Sequence, residues 1–374
     1  MAADEYAKFN GKRPRILPRT EDGVDLSDAV PVEGMVSKEA PLVAAVTGYL
    51  RETLAERYKR ICQTERSKFY SNLAFCLTQA EENDGELHAS AKSLNGKMVA
   101  LFFKSLQADS CLRLIDISHN PIGSAEAFGE LGAALPHMGS LETLNLHSVG
   151  LTLQNLSKIV WALPSIMPST GVNHLPLKAL NLGNHKLLEG EGDKSAVVGA
   201  LCSLLGRLPL LEELKMGIDD AQLLGSSVAR TDVFDLKLGC AVRALRNLKR
   251  LDISGLLLPV SALNRFLVGD GESSEFGQRL HCLNLSKAVV DEVGDGSGVV
   301  GLLERLFVQP ESCELTSLSL EGCCRFDGDQ ADNLAAFLRQ LPKLRTEGLR
   351  LQDTGLPEDF GRRLHNELEE TMQL

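Results

Sequence analysis

Residues 141–151 read Leu141-Glu-Thr-Leu144-Asn-Leu146-His-Ser-Val149-Gly-Leu151. The pattern Leu-x-x-Leu-x-Leu, followed by a turn and another apolar residue, does not stand alone. One copy upstream, Leu112, Ile115 and Ile117 lead to Asn120 and Ile122. Downstream come Leu177/Leu180/Leu182, Leu211/Leu214/Met216, Leu248/Leu251/Ile253, Leu280/Leu283/Leu285 and Leu315/Leu318/Leu320. A slipped copy at Thr346/Leu349/Leu351 closes the series, and a degenerate one with Leu87, Ala89 and Leu94 precedes it. Counted from position 84, the units are 28 to 37 residues long. Self-similarity at such a period is the mark of a solenoid, in which no unit buries its apolar face alone and stacking supplies the core.

Each unit opens with a short strand whose alternate residues, such as Leu144 and Leu146, point inward. The ninth position turns the chain; Asn120 there is suited to bond exposed backbone, while Val149, His185, Asp219, Leu256, Ala288, Cys323 and Thr354 replace it elsewhere. Helical patterns follow over 125–135, 153–163, 196–208, 236–245, 263–268, 299–307 and 331–341. Four of these run into Leu-Pro at Pro136, Pro164, Pro209 and Pro342, which cannot continue a helix. Strand, turn and helix in repetition predict an α/β solenoid, a horseshoe with a parallel concave sheet and convex helices. Over about residues 84–374 the chain resembles the leucine-rich repeat superfamily. Its long helices and the entry Glu311-Ser-Cys313-Glu-Leu315-Thr-Ser-Leu318 look most like the ribonuclease-inhibitor-like subclass. That subclass usually has 28- or 29-residue repeats, and the middle units here are longer. The resemblance implies a curved scaffold that binds protein partners through its concave sheet and adjoining loops.

The first 83 residues differ. Positions 1–36 hold Pro14, Pro18 and Pro31 among mixed charges and read as an extended arm. Within it Lys8, Lys12, Arg13, Arg15 and Arg19 form a basic run, either a solvated tail or a segment that lies along an acidic surface, protein or RNA. Residues 37–83 carry a stripe of Leu42, Val46, Leu50, Leu54, Tyr58 and Ile61, then a second apolar segment at 67–79. They read as a helical cap over the first repeat, with a separate docking module as the alternative.

Composition narrows the function. With 39 Lys+Arg against 50 Asp+Glu the chain is acidic, net charge -11, which argues against nucleic-acid binding outside the arm. No apolar run reaches the length of a membrane span, and the N-terminus has neither a signal core nor a presequence pattern. Nine scattered cysteines without paired spacing read as thiols of a reducing compartment, hence an intracellular location. The sequence Gly190-Glu-Gly-Asp-Lys194-Ser195 departs from a phosphate loop, because Asp193 separates glycine from lysine and Glu191 adds negative charge. His119, His147 and His185 leave three successive strands but lack a fourth ligand, and read as exposed edge histidines. Cys323 and Cys324 read as one turn residue and one outward residue. No catalytic, cofactor-binding or metal-binding residue is assigned, and no catalytic constellation is present.

Three recognition surfaces are expected. The concave face presents Asp116, Asn145, Asn181, Lys215, Asp252, Asn284, Ser319 and Arg350 in one lateral row. Flanking rows hold Arg113, Glu142, Lys178, Glu212, Lys249, His281 and Thr316, then Ser118, His147, Gly183, Gly217, Ser254, Ser286 and Glu321. An ordinary solvated sheet face is the competing account. The edge where strands enter helices collects Glu189, Glu191, Asp193, Asp219, Asp220, Asp291, Glu292, Asp295, Asp327 and Asp329, an acidic strip that would steer a basic partner. Helix capping accounts for part of that strip. The arm residues Lys12, Arg13, Arg15 and Arg19 are the third. The expected function is a non-enzymatic scaffold, a subunit or adaptor of an intracellular assembly of proteins, with a cytoskeletal or flagellar complex suggested by resemblance. A regulator of a small GTPase, as in the Ran-activating branch of the superfamily, is the alternative.

Overall fold

The computed structural model describes residues 52–107, 110–163, 174–185, 194–219, 234, 236–269, 275–289, 296–357 and 359–364. The chain divides into two units, Met1–Glu52 and Thr53–Leu374, and the structure below is that of the second.

Two helices, α1 (Leu54–Thr64) and α2 (Ser71–Glu82), lead into nine strands and their crossover helices. In chain order these are β1 (Glu86–His88), α3 (Gly96–Ser105), β2 (Leu114–Asp116), α4 (Ala125–Ala134), β3 (Thr143–Asn145), α5 (Leu153–Ala162), β4 (Ala179–Asn181), α6 (Lys194–Leu205) and β5 (Glu213–Lys215). There follow α7 (Leu236–Arg243), β6 (Arg250–Asp252), α8 (Val260–Leu267), α9 (Glu275–Arg279), β7 (Cys282–Asn284), α10 (Gly296–Leu306), β8 (Ser317–Ser319), α11 (Gly328–Leu338) and β9 (Leu349–Arg350). Every strand pairs in parallel with its sequence neighbour, so the sheet order is the chain order. Parallel neighbours require a crossover, and the helices supply it. This is the leucine-rich-repeat solenoid expected from the repeat.

Register explains why the repeat is aliphatic. Leu87, Ile115, Leu144, Leu180, Leu214, Leu251, Leu283, Leu318 and Leu349 stand opposite one another across the sheet. All but Leu349 in the last strand are buried. Two residues on, Ala89, Ile117, Leu146, Leu182, Met216, Ile253, Leu285 and Leu320 form a second buried column. Their N–H groups continue the ladder, as in Ile117 to Asn145 O and Leu146 to Asn181 O. Each unit but the fifth then places the residue four after its central core residue in the left-handed region: Ala91, His119, Ser148, Asn184, Gly255, Lys287, Gly322 and Asp353. This residue swings the chain out of the sheet, and at Gly255 (φ +69) a Cβ would stand 1.8 Å from Ile218 O.

Asn120 acts as expected for the first turn. It is fully buried, its Nδ2 donates to Ala89 O (2.9 Å), Ile117 O (2.8 Å) and Ser118 O (3.1 Å), and its Oδ1 accepts from Lys92 N (3.0 Å) and Leu94 N (2.9 Å). The equivalent Val149, Leu256, Ala288 and Cys323 are buried without such a network to offer. Helix starts fall on caps: Thr53 with Glu56 for α1, Asn95 for α3, Ser124 for α4, Thr152 for α5 and Asp327 with Gln330 for α11.

The helices α1 and α2 share the continuous core of the repeats through Tyr58, Cys62, Leu73 and Leu77. Lys104 of α3 reaches Glu65 at 2.7 Å, just beyond α1. Among the described residues no helix is long and apolar enough to cross a membrane. All nine cysteines are free thiols. Cys323 and Cys324 are both buried, at 1% and 3% exposure, which corrects the expectation that one faces outward: both belong to the hydrophobic core at the exit of β8.

Candidate functional site

In a three-residue strand the central side chain enters the core and its two flanking side chains stand on the opposite face. The concave face therefore consists of the residues one before and one after each central leucine. The row after it is the expected one: Asp116, Asn145, Asn181, Lys215, Asp252, Asn284, Ser319 and Arg350, preceded by His88 on β1. Five of these side chains have a local duty. The Oδ1 of Asp116, Asn145, Asn181, Asp252 and Asn284 each accepts the N–H two residues on, at 2.9–3.1 Å. Such Asx turns close the strand and orient the carboxyl or amide group. Lys215, Ser319 and Arg350 break the pattern.

The row before the central leucine runs Glu86, Leu114, Thr143, Ala179, Glu213, Arg250, Cys282 and Ser317. Sequence reading missed it and took the row one residue earlier, although strict alternation about the leucine distinguishes the two. That earlier row precedes the strands and forms a ladder of alternating charge along their N-terminal edge. Arg113 meets Glu142 at 3.2 Å, Glu142 meets Lys178 at 3.0 Å, and Glu212 meets Lys249 at 2.8 Å. Hydrogen bonds from Lys178 and Arg113 hold the Glu142 carboxyl below its ordinary range.

The two ends of the concave face differ in chemistry. On β2–β4 the newly assigned row is Leu114, Thr143 and Ala179, without charge. On β5–β9 there is a shallow depression of ≈ 270 Å³, lined among others by Glu213, Lys215, Arg250, Cys282, Ser317 and Arg350. Glu213 sits between two cations, its Oε1 at 2.7 Å from Lys215 Nζ and its Oε2 at 3.3 Å from Arg250 Nη1. Burial pushes its carboxyl up, but the contacts with Lys215 and Arg250 outweigh burial, and the net shift is downward.

The three histidines do not behave alike. His185 occupies the turn position of its unit and is buried at 3% exposure. Neither of its ring nitrogens has a well-formed hydrogen bond, and the Leu146 backbone opposes the effect of burial without overcoming it. Burial, reinforced by nearby His147, pushes its pKa down to about 3. His147 lies across the glycine of the next unit, where a Cβ on Gly183 would approach its Nδ1 to 2.8 Å, and reaches Asp219 one unit further at 3.0 Å. Burial lowers its pKa more than Asp219 raises it. The His119 and His147 rings are 4.8 Å apart. The expectation of three exposed edge histidines is thus corrected: turn geometry buries His185 and half-buries His147. Among the described residues no group of three or more His, Cys, Asp or Glu side chains has the arrangement of a metal site.

Of the acidic edge, Asp219 is the partner of His147, and Asp327 caps α11 by accepting from Gln330 N at 3.0 Å, with Asp329 in the same first turn. Glu189, Glu191, Asp193, Asp220, Asp291, Glu292 and Asp295 lie outside the described residues, as do Lys12, Arg13, Arg15 and Arg19 of the arm.

No family model matches the chain. It is 26% identical over 334 residues to a Tonsoku-like protein of Mus musculus and 27% identical over 328 residues to one of Bos taurus. These alignments cover 88% and 86% of this chain but only 22% and 21% of those proteins, so the chain spans about a fifth of their length. Among solved structures, the leucine-rich repeat-containing protein LegL7 of Legionella pneumophila aligns with 74% of this chain and 87% of its own, with TM-score 0.35 and 14% identity. A Bacteroides fragilis protein aligns over 69% and 61%, with TM-score 0.37 and 16% identity.

Proposed function

We propose that the chain is a non-enzymatic protein-interaction module whose concave sheet face is its principal contact surface. The observation that carries this reading is the sheet itself: all nine of its strands carry a polar side chain in the row after the core leucine, as a rigid array at strand spacing. A preformed and orderly face of this kind binds with little ordering cost. The Tonsoku-like proteins supply a consistent setting, in which a module like this one occupies a fraction of a longer chain.

The helical N-terminal segment serves as a cap of the array, and the ribonuclease-inhibitor-like subclass accounts for the full helices between strands. The acidic edge, through Glu189, Glu191, Asp193, Asp291, Glu292 and Asp295, and the basic arm, through Lys12, Arg13, Arg15 and Arg19, are auxiliary contacts in a multi-subunit intracellular assembly. Membership of a cytoskeletal or flagellar complex rests on resemblance alone. Native purification through an affinity tag, followed by gel filtration, tests the reading. Stoichiometric co-elution with other proteins is expected. Elution as a lone 40.6 kDa chain, together with acceleration of a small GTPase in a single-turnover assay, would replace it with the regulatory alternative.

A further inference from the structure

The depression on β5–β9 has an imbalance of hydrogen-bonding groups. Its acceptors are engaged internally except for the second carboxylate oxygen of Asp252, so that three cations face two carboxylates, one of them already paired. Both carboxylate oxygens of Glu213 face Lys215 and Arg250. The Oδ1 atoms of Asp252 and Asn284 accept from Ser254 N and Ser286 N. Its donors are left over. Arg250 uses one nitrogen at 3.3 Å, Lys215 makes one ion pair, and both side chains are about half exposed or more. Arg350 is exposed and has no side-chain partner among the described residues; Asn284 is half-buried, and among the described residues its Nδ2 has none either. Cations therefore bracket the depression, Lys215 and Arg250 on one side and Arg350 on the other. Between them lie the small side chains of Cys282, Ser317 and Ser319. Such a surface is complementary to acceptor-rich, negatively charged groups.

We infer that this half of the concave face docks an extended acidic peptide segment of a partner protein. The spacing follows from the fold. Arg250 on β6 and Arg350 on β9 are three strand intervals apart and two residues out of register. At about 4.8 Å per interval and about 3.4 Å per residue that is about 16 Å, the span of about four to five residues of extended chain, with the reach of two long side chains making up the remainder at four. A peptide crossing the strands thus meets both cations when it carries Asp or Glu at positions i and i+4. Small residues between them settle over Cys282, Ser317 and Ser319. Glu213 serves as a positioning residue, holding Lys215 and Arg250 toward the depression. The inference rests on the concave-face reading and adds to it the chemistry of the partner.

Fluorescence anisotropy with the full 374-residue chain tests it, using a labelled peptide with Glu at i and i+4 in a Ser/Gly/Thr background at near-physiological salt. Saturable binding is expected. It should weaken about tenfold when the two Glu become Gln, and about tenfold in Arg350→Glu, a change confined to an exposed side chain. Cys282→Trp, which fills the depression without altering charge or a turn, should weaken it as well. Thermal melts confirm that both variants fold. Equal binding of a peptide with adjacent Glu residues, equal binding of a single-stranded oligonucleotide, or indifference to Arg350→Glu overturns the inference. Cys282→Trp in the native purification separates the two levels. If no acidic peptide binds but Cys282→Trp strips the co-purified partner, the face is an interface for other chemistry. If no peptide binds and the partner stays, the concave-face reading falls with the inference.

Discussion

Asn120 shows how much one side chain can hold in a stacked array. Its amide bridges two successive turns with five hydrogen bonds, two of them to the N–H groups of Lys92 and Leu94. Asn120→Ala leaves buried backbone donors and acceptors without partners, each costing about 1–3 kcal/mol. We expect a loss of about 3 kcal/mol in urea unfolding; a loss below about 1 kcal/mol would show that water replaces the amide. His185 sets a different expectation. Its folded pKa lies below its unfolded value, so the unfolded chain binds the extra proton between pH 3 and about 6.5. Stability should therefore fall as pH drops through that window, by up to about 1.4 kcal/mol per pH unit, and be flat in this respect above it. His185→Leu should flatten the profile measured by denaturant titration across pH. Sequence could place His185 at the turn but not bury it, because the same position holds exposed Asp219 one unit later. The pairing of His147 with Asp219 escaped for a related reason: it skips a whole unit over Gly183, and no local spacing encodes it.

At the level of the element, the strands were the most legible part. Each core leucine column is a direct copy of the repeat, and even the degenerate Leu87 and slipped Leu349 strands pair in register. Helices were legible in place but not at their ends. The structure begins α8, α10 and α11 three residues before the predicted starts; in α11 this is because the helix begins at its cap, Asp327, and not at its first apolar residue. Helix α3 escaped entirely: Met98, Val99, Ala100, Leu101, Phe102 and Phe103 are all buried, a short continuous apolar run of the kind that does not tell a buried helix from a buried strand. The concave face was half legible. The row after each leucine was assigned, but its Asx-turn duty and the row containing Glu213, Arg250 and Cys282 emerged only with the strand bounds. The charge ladder at the strand entries is exposed, so its pairs should contribute little. Glu142→Ala should change stability by no more than about 0.5 kcal/mol, measured by thermal melt in low salt. A larger loss would mean that Arg113–Glu142–Lys178 acts as a cooperative network.

At the scale of the molecule, the described residues form one hydrophobic core from Leu54 to Leu364, and each repeat completes the one before it. The consequence for function is a division of labour between two surfaces. The convex side is taken up by helix packing and exposes Lys158 on α5 and Lys237 on α7, whereas the concave side carries Lys178, Lys215 and Lys249 in or beside the sheet. This difference makes the central claim directly measurable by cross-linking mass spectrometry of the natively purified complex with an amine-reactive reagent. If the concave face is the contact surface, inter-protein cross-links will concentrate on Lys178, Lys215 and Lys249. Cross-links confined to Lys158 and Lys237, with Lys215 remaining freely modified in the complex, would contradict the account.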